Sequence, residues 1–245
     1  MTVGYLDGVL SQPENLRRSA DSVRAALPLM EMPGGLVAFG MGASSHAAAG
    51  FAAVLRDRGV PAISFSAADL MGSASVFRRG AGPARPVRFG DSYAYLGISQ
   101  SGRSRETVEA LDHADGPRIA LTNDPDGPLG RAADVVVPLG CGEDSAVSTL
   151  SYTATVQALG LIADHLTGVV SPVWDGLPDL VAGVLSSSSE PIADALDGVP
   201  LVANRRCWTT GNSPRPTPYN LTLFRDRSAP PSRCPARIVR ARMRS

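Results

Sequence analysis

The residues best suited to chemistry cluster at 98–107, Ile-Ser-Gln-Ser-Gly-Arg-Ser-Arg-Glu-Thr. Tyr93 to Ile98 reads as an apolar strand, and it runs into a loop carrying the hydroxyls of Ser99, Ser101 and Ser104 and the amide of Gln100. A helix follows, whose first turn adds unpaired backbone N–H groups and the positive end of its dipole. Many donors converging on a helix start suit a phosphate monoester, whose three oxygens accept them without a metal. The competing reading is an ordinary polar loop capping a helix, since serine is a common cap.

Two further clusters sit where they could share a ligand with that loop. Leu36 to Phe39 is a short apolar strand that ends at Gly40-Met41-Gly42-Ala43-Ser44-Ser45, with His46 just inside the following helix. Its glycine spacing approaches a dinucleotide fingerprint. Ser45 replaces the third glycine, however, and the next strand ends in Ser64-Phe65-Ser66 without the acid that holds a ribose, so a nicotinamide or flavin nucleotide is not expected. Glu143-Asp144-Ser145-Ala146-Val147-Ser148-Thr149 opens a long helix. Acids and hydroxyls belong at a helix start on structural grounds alone; a position after the last strand also puts Ser148 and Thr149 on the ligand side of the cleft.

Composition removes whole classes of mechanism. The chain of 245 residues contains no lysine, all 23 basic residues being arginine. Schiff-base, pyridoxal-phosphate and Walker lysines are therefore excluded. Cys141, Cys207 and Cys234 form no close pair, and His46, His113 and His165 lie far apart, so neither a disulfide framework nor a metal set is expected. No apolar run approaches the roughly 20 residues of a membrane span, and the N-terminus lacks the layout of a signal peptide, so the expected location is cytoplasmic, with no membrane partner. A hydrophobic fraction of 44% fits a globular α/β protein with a real core.

The elements that must position these residues alternate. Residues 13–28 show the apolar spacing of a helix, with Leu16, Ala20, Val23 and Leu27 on one face. Strands are expected at Leu36–Phe39, Val60–Phe65, Tyr93–Ile98, Arg118–Thr122 and Val135–Leu139, with helices between them, and an apolar helix from about Ser145 to Leu166. Five strands joined through helices imply a three-layer α/β/α domain with a parallel sheet covered on both faces, and ligands at the carboxyl ends of the strands. Residues 72–90 read as a surface connection. Val169–Leu185 and Ile192–Leu196 read as helices separated by the serine run 186–189, and Val199–Ala203 as a new first strand.

Beyond Asn204 the pattern changes. Residues 205–245 hold ten arginines against Asp226 alone, leaving thirteen arginines against twenty-two acids elsewhere. No period persists there beyond Tyr219–Phe224. Such sequence is what a GC-rich gene yields when read out of frame; an arginine-rich tail that binds nucleic acid or the acidic body is the competing idea. The expected organisation is an N-terminal helix (1–30), the α/β domain (31–170), the start of a second lobe (171–204) and this tail (205–245).

Ser44-Ser45, Ser99-Gln100-Ser101-Gly102, Leu121-Thr122-Asn123 with Pro128-Leu129 and Ala133-Asp134, and Glu143 through Thr149 together resemble the sugar isomerase (SIS) domain. The likeness is greatest to the isomerase half of glucosamine-6-phosphate synthase and its stand-alone relatives. Even the opening Leu10-Ser11-Gln12-Pro13-Glu14-Asn15-Leu16 is similar to that group's entry helix.

The resemblance implies a flavodoxin-like, Rossmann-like sheet and no cofactor. Half a second lobe would leave one sheet edge and one helical face exposed, so a homodimer is expected whose partner covers the apolar helix near 150–166. The resemblance also implies a sugar phosphate held by Ser44, Ser99, Gln100, Ser101 and Ser104, with Ser148 and Thr149 on the sugar. The ligand class would be fructose 6-phosphate or an amino-sugar phosphate, and no nucleic acid. The family's chemistry is aldose–ketose isomerisation, which moves a proton between neighbouring carbons. Its lysine-x-lysine-glutamate helix, histidine-glycine-proline and C-terminal lysine belong to a second lobe and are not found here. Within the remaining lobe Glu143 and His46 are the candidate substitutes. The reading is thus a sugar-phosphate-binding protein of the isomerase and aminotransferase type whose catalytic lobe is lost; the alternative is a non-catalytic sensor or regulatory subunit.

Overall fold

A computed structural model of the chain describes residues 4–30, 34–71, 89, 92–144, 148–196, 202–204 and 221–223. Two compact units follow one another, residues 1–186 and 187–245.

The first unit opens with α1 (Tyr5–Leu10) and α2 (Gln12–Ala26). Pro13 and Glu14 suit the first turn of α2, where a missing N–H costs nothing and a negative charge meets the dipole. The helix buries Asn15, Leu16, Ser19, Ala20, Val23 and Ala26, a stripe at helical spacing that the sequence periodicity anticipated. There follow β1 (Gly35–Gly40), α3 (Ala43–Asp57), β2 (Ala62–Ser66), α4 (Ala67–Leu70), β3 (Tyr93–Ile98), α5 (Arg105–Asp112), β4 (Arg118–Thr122), α6 (Pro128–Arg131), β5 (Val135–Pro138), α7 (Ser151–Thr167) and α8 (Val173–Leu196), whose residues after Ser186 belong to the second unit.

All five strands of the first unit pair in parallel, in the order β2-β1-β3-β4-β5. Parallel pairing requires crossovers, and these cover both faces, so the strands read as near-continuous apolar runs. Alternation still sorts their side chains. Leu36, Ala38, Leu96, Ile98, Ile119, Leu121 and Val137 face α2, α3 and α7. Val37, Phe39, Tyr95 and Ala120 face α4, α5 and α6. Each fully buried leucine or phenylalanine contributes about 1.5–3 kcal/mol of transfer free energy. The chain leaves β1 toward β2 on one side and β3 toward β4 on the other. The carboxyl ends of β1 and β3 therefore diverge side by side, and ligands of open α/β sheets bind at such a crevice.

Several expectations need correction. The helix expected from 145 begins at Ser151, residues 145–147 lying outside the described residues. Its apolar face, assigned above to a partner chain, is covered within the chain: α2 and α3 pack along it, and Trp174 lies against Gly160. Tyr152 and Val156 are the large apolar side chains of α7 left exposed, at 42% and 41%. The serine run does not divide α8, because a serine hydroxyl can turn back on its own helix, as Ser186 Oγ does toward the Gly183 carbonyl at 3.0 Å. The connection expected at 72–90 lies outside the described residues except for Phe89.

In the second unit, β6 (Val202–Asn204) pairs antiparallel with β7 (Leu221–Leu223), Ala203 standing opposite Thr222. A strand was expected near the first; the second falls in the Tyr219–Phe224 stretch. The rest of 205–245 lies outside the described residues.

Candidate functional site

Gly40, the last residue of β1, stands opposite Ile98, the last of β3. A Cβ at Gly40 would lie 2.7 Å from the Ile98 carbonyl oxygen and 2.7 Å from Ser44 Cβ. Only glycine lets the first turn of α3 close down this far onto the end of β3. Ser44 is thereby brought to the edge of the β3 loop. Ser45 is turned back, its hydroxyl donating to the Gly42 carbonyl at 2.7 Å. His46 is exposed on α3.

The β3 loop is a tight reversal. Gly102 has φ +64°, and its N–H donates to the Ser99 carbonyl at 3.1 Å. A Cβ there would meet Thr122 Oγ1 at 2.9 Å, so glycine is required on both counts. Ser99 is buried, and its hydroxyl donates to Ser104 Oγ at 3.2 Å. Ser101 is exposed, with Oγ accepting the Arg103 N–H at 3.3 Å. Ser104 is the N-cap residue of α5 but makes no side-chain cap bond, which leaves the first-turn amides of α5 without a side-chain acceptor. Among the described residues the Ser44 hydroxyl and the Gln100 side-chain amide have no hydrogen-bond partner. Ser44 thus lies beside the end of β3, from which the loop bearing Ser99, Gln100, Ser101 and Ser104 leads into α5. Arg103 is paired with Asp124 at 2.8 Å, and Arg105 with Glu109 at 2.7 Å, both at the surface.

The third cluster leaves β5, two strands beyond β3, or about 10 Å at the usual spacing of roughly 4.8 Å. Glu143 is exposed. Asp144 turns inward. Its carboxylate accepts the amides of Thr149, Leu150 and Ser151 at 2.7, 3.1 and 3.1 Å, and the hydroxyls of Ser148, Thr149 and Ser151 at 2.9, 3.1 and 2.6 Å. Burial works to raise this carboxyl, but the bonds from Ser151, the Thr149 amide and Ser148 outweigh it and hold the group well below the usual carboxylate range. Ser148 is exposed beside the cap, whereas Thr149 is buried, with its Oγ1 pressed against Gly8 of α1. Asp144 was named in the sequence only as part of a motif. Its signal was an acid a few residues before a hydroxyl-rich helix start, and the adjacent Glu143 carried the same signal.

The other histidines lie at the surface. His113 is exposed at the C-cap of α5, its Nδ1 2.7 Å from the Glu109 carbonyl, and His165 is exposed on α7. Among the described residues no group of three His, Cys, Asp or Glu side chains could hold a metal ion. No helix among them is long and apolar enough to cross a membrane.

No family model matches the chain. A segment of 78 residues is 37% identical to the isomerizing glutamine–fructose-6-phosphate aminotransferase of Zymomonas mobilis, covering 30% of this chain and 13% of that enzyme. The enzyme of the same name from Bacillus thuringiensis subsp. konkukian is 28% identical over 122 residues, 48% of this chain and 20% of its own length. Thus the match spans a fifth or less of these curated relatives.

Among solved structures, the C-terminal domain of glucosamine-fructose-6-phosphate aminotransferase from Francisella tularensis superposes with a TM-score of 0.59 at 17% identity, over 80% of this chain and 58% of that one. Proteins assigned as phosphosugar isomerases from Silicibacter pomeroyi and Clostridium difficile give TM-scores of 0.62 and 0.63 at 19% and 14% identity. They cover 78% and 80% of this chain and 59% and 57% of theirs. The resemblance read from the four motifs holds for the fold: the chain has the α/β fold of the phosphosugar isomerase, or SIS, domains.

Proposed function

We propose that this chain binds a hexose phosphate at the carboxyl edge of its sheet. The observation that carries the reading is the Ser99–Ser104 loop. It places hydroxyls and uncapped helix amides at the switch point between β1 and β3, opposite Ser44. In this reading Ser44, Ser99, Gln100, Ser101, Ser104 and the first turn of α5 surround the phosphate. The sugar extends toward the β5 loop, against Ser148, with Thr149 beneath it. Fructose 6-phosphate or an amino-sugar phosphate fits this polarity, and the partial matches to fructose-6-phosphate aminotransferases support that class.

The chemistry proposed for the site is aldose–ketose isomerisation through an enediol. A base takes the proton from one of two neighbouring carbons and returns it to the other. Glu143 and His46 are the candidates in this lobe, on the far and near side of the phosphate loop. A second reading, a sugar-phosphate sensor, is favoured by one observation: the chain holds no lysine, and the family's lysine-bearing catalytic segments are not found in it.

Thermal-shift titration tests the binding. At a ligand concentration about 100-fold above Kd the folded state gains about 2.7 kcal/mol, or roughly 5–10 °C in Tm for a chain of this size. Fructose 6-phosphate or glucosamine 6-phosphate is expected to produce that shift, and a Ser101→Ala/Ser104→Ala double variant to lose most of it. No stabilisation by any hexose phosphate, with inorganic phosphate also inert, overturns the proposal. A coupled isomerase assay then separates the two readings, turnover selecting the enzyme and tight binding without turnover the sensor.

A further inference from the structure

Asn15 lies in the entry-helix motif, and nothing in the binding reading uses it. It is 2% exposed, and its amide is spent on the loop that leaves β5. Oδ1 accepts the Gly142 N–H at 3.0 Å and the Arg18 guanidinium at 3.0 Å, while Nδ2 lies 3.7 Å from Cys141 Sγ. Arg18 also donates through Nε to the Gly140 carbonyl at 2.9 Å. Gly140 has φ +62°, and a Cβ there would sit 2.6 Å from Ser22 Cβ, so this loop is pressed directly onto α2.

The contacts continue across the edge of the sheet. The Cys141 N–H donates to Asn123 Oδ1 at 2.8 Å, and the Asn123 N–H donates to the Gln100 carbonyl at 2.9 Å. The loops after β3, β4 and β5 are thereby bonded one to the next, and the Asn15 side chain itself reaches only the last of them. Two residues after Gly142, Asp144 folds the chain back and fixes Ser148.

We infer that Asn15 is a positioning residue for the sugar-binding side of the site, acting through the Gly142 amide on the loop that presents Glu143 and Ser148. The inference rests on the binding reading above. The half-buried Gly142 amide loses a formed hydrogen bond when its acceptor goes, which loosens a short loop, and a site held only slightly out of its productive geometry loses affinity steeply. Inorganic phosphate, which needs only the serine loop and α5, is far less sensitive to Asn15 than a hexose phosphate, which also needs the β5 loop.

The experiment compares wild type, Asn15→Ala and Asn15→Asp by calorimetric titration with fructose 6-phosphate and with inorganic phosphate. It is run at a temperature where near-ultraviolet circular dichroism shows all three folded. Amide exchange at Gly142 is read alongside. Asn15→Asp keeps the acceptor and sets its carboxylate against the Arg18 guanidinium. It is expected to bind fructose 6-phosphate within about twofold of wild type, while Asn15→Ala loses about tenfold, one broken bond to the half-buried Gly142 amide. In Asn15→Ala the affinity for inorganic phosphate stays within about twofold, and Gly142 exchanges faster. Equal losses for the two ligands, or none, overturn the inference and leave Asn15 a stability residue. Failure of the wild type to bind either ligand overturns the binding reading instead.

Discussion

Asp144→Ala is the substitution whose effect follows most directly from the structure. One side chain accepts three backbone amides and three hydroxyls at the start of α7. Ser148 is exposed, and its hydroxyl finds water when the carboxylate goes. The amides of Leu150 and Ser151 do not, since these residues are only 3% and 4% exposed. An N-cap is worth about 1 kcal/mol, up to about 2, and hydrogen bonds to a charged group about 1.5–3 kcal/mol. These describe overlapping interactions, so the expected loss is about 2–3 kcal/mol rather than their sum. For a chain of this size that lowers Tm by roughly 5–10 °C. Asp144→Asn keeps the shape but turns an NH₂ toward donors, and is expected to lose roughly 1–2 kcal/mol.

The same carboxylate predicts a pH dependence with a definite sign. Its folded pKa is depressed, so the unfolded chain takes up the proton first as pH falls. The stabilisation is therefore complete above the ordinary aspartate value of about 3.9 and drains away as pH falls below it toward the folded value. Urea denaturation at a series of pH values is the assay. The gap between wild type and Asp144→Ala should be constant from pH 8 to about pH 5 and should narrow toward pH 3. A variant within about 0.5 kcal/mol of wild type, the range of an ordinary surface change, would refute the reasoning. So would a gap that acid leaves untouched.

Two further outcomes follow from the loops. Gly102→Ala must adopt φ +64° with its Cβ 2.9 Å from Thr122 Oγ1. It is expected to lose about 1–3 kcal/mol of stability and to abolish the thermal shift with inorganic phosphate; an unchanged shift would show that the reversal does not shape the anion site. Burial pushes the Cys141 thiol up from its ordinary range, leaving little thiolate at neutral pH. Alkylation of Cys141 by N-ethylmaleimide, followed by peptide mass spectrometry, should be slow in the native chain at pH 7 and rise with pH through 9. Labelling at pH 7 as fast as in urea would contradict that burial.

The parts of this protein legible in its sequence are those whose signal is local. Tyr93–Ile98 and Arg118–Thr122 stand where their apolar runs put them, because strands buried on both faces need no longer-range information to be recognised. The serine loop was legible for the same reason, its strand end, glycine, donors and helix start all falling within ten residues. Pattern misled where one composition serves two environments. The apolar surface of α7 reads alike whether a partner or α2 covers it, and serines read as a break although each can bond back to its own helix.

Position decided the remaining cases. Glu143 and Asp144 are adjacent acids, and nothing in their order says that the second turns in to become the cap while the first stays exposed. Asn15 and Gly142 are 127 residues apart, and Asn123 and Cys141 are 18 apart across a crossover. No periodicity links them. Yet a hydroxyl-rich loop has few apolar side chains to anchor it, so its rigidity must come from buried or half-buried amides and carboxylates satisfying its backbone. Asn15, Asn123 and Asp144 do that work at the carboxyl edge of the sheet. The hydroxyls and amides of these loops are thus read from the sequence, whereas the side chains that satisfy the loops' backbone appear only once the chain is folded.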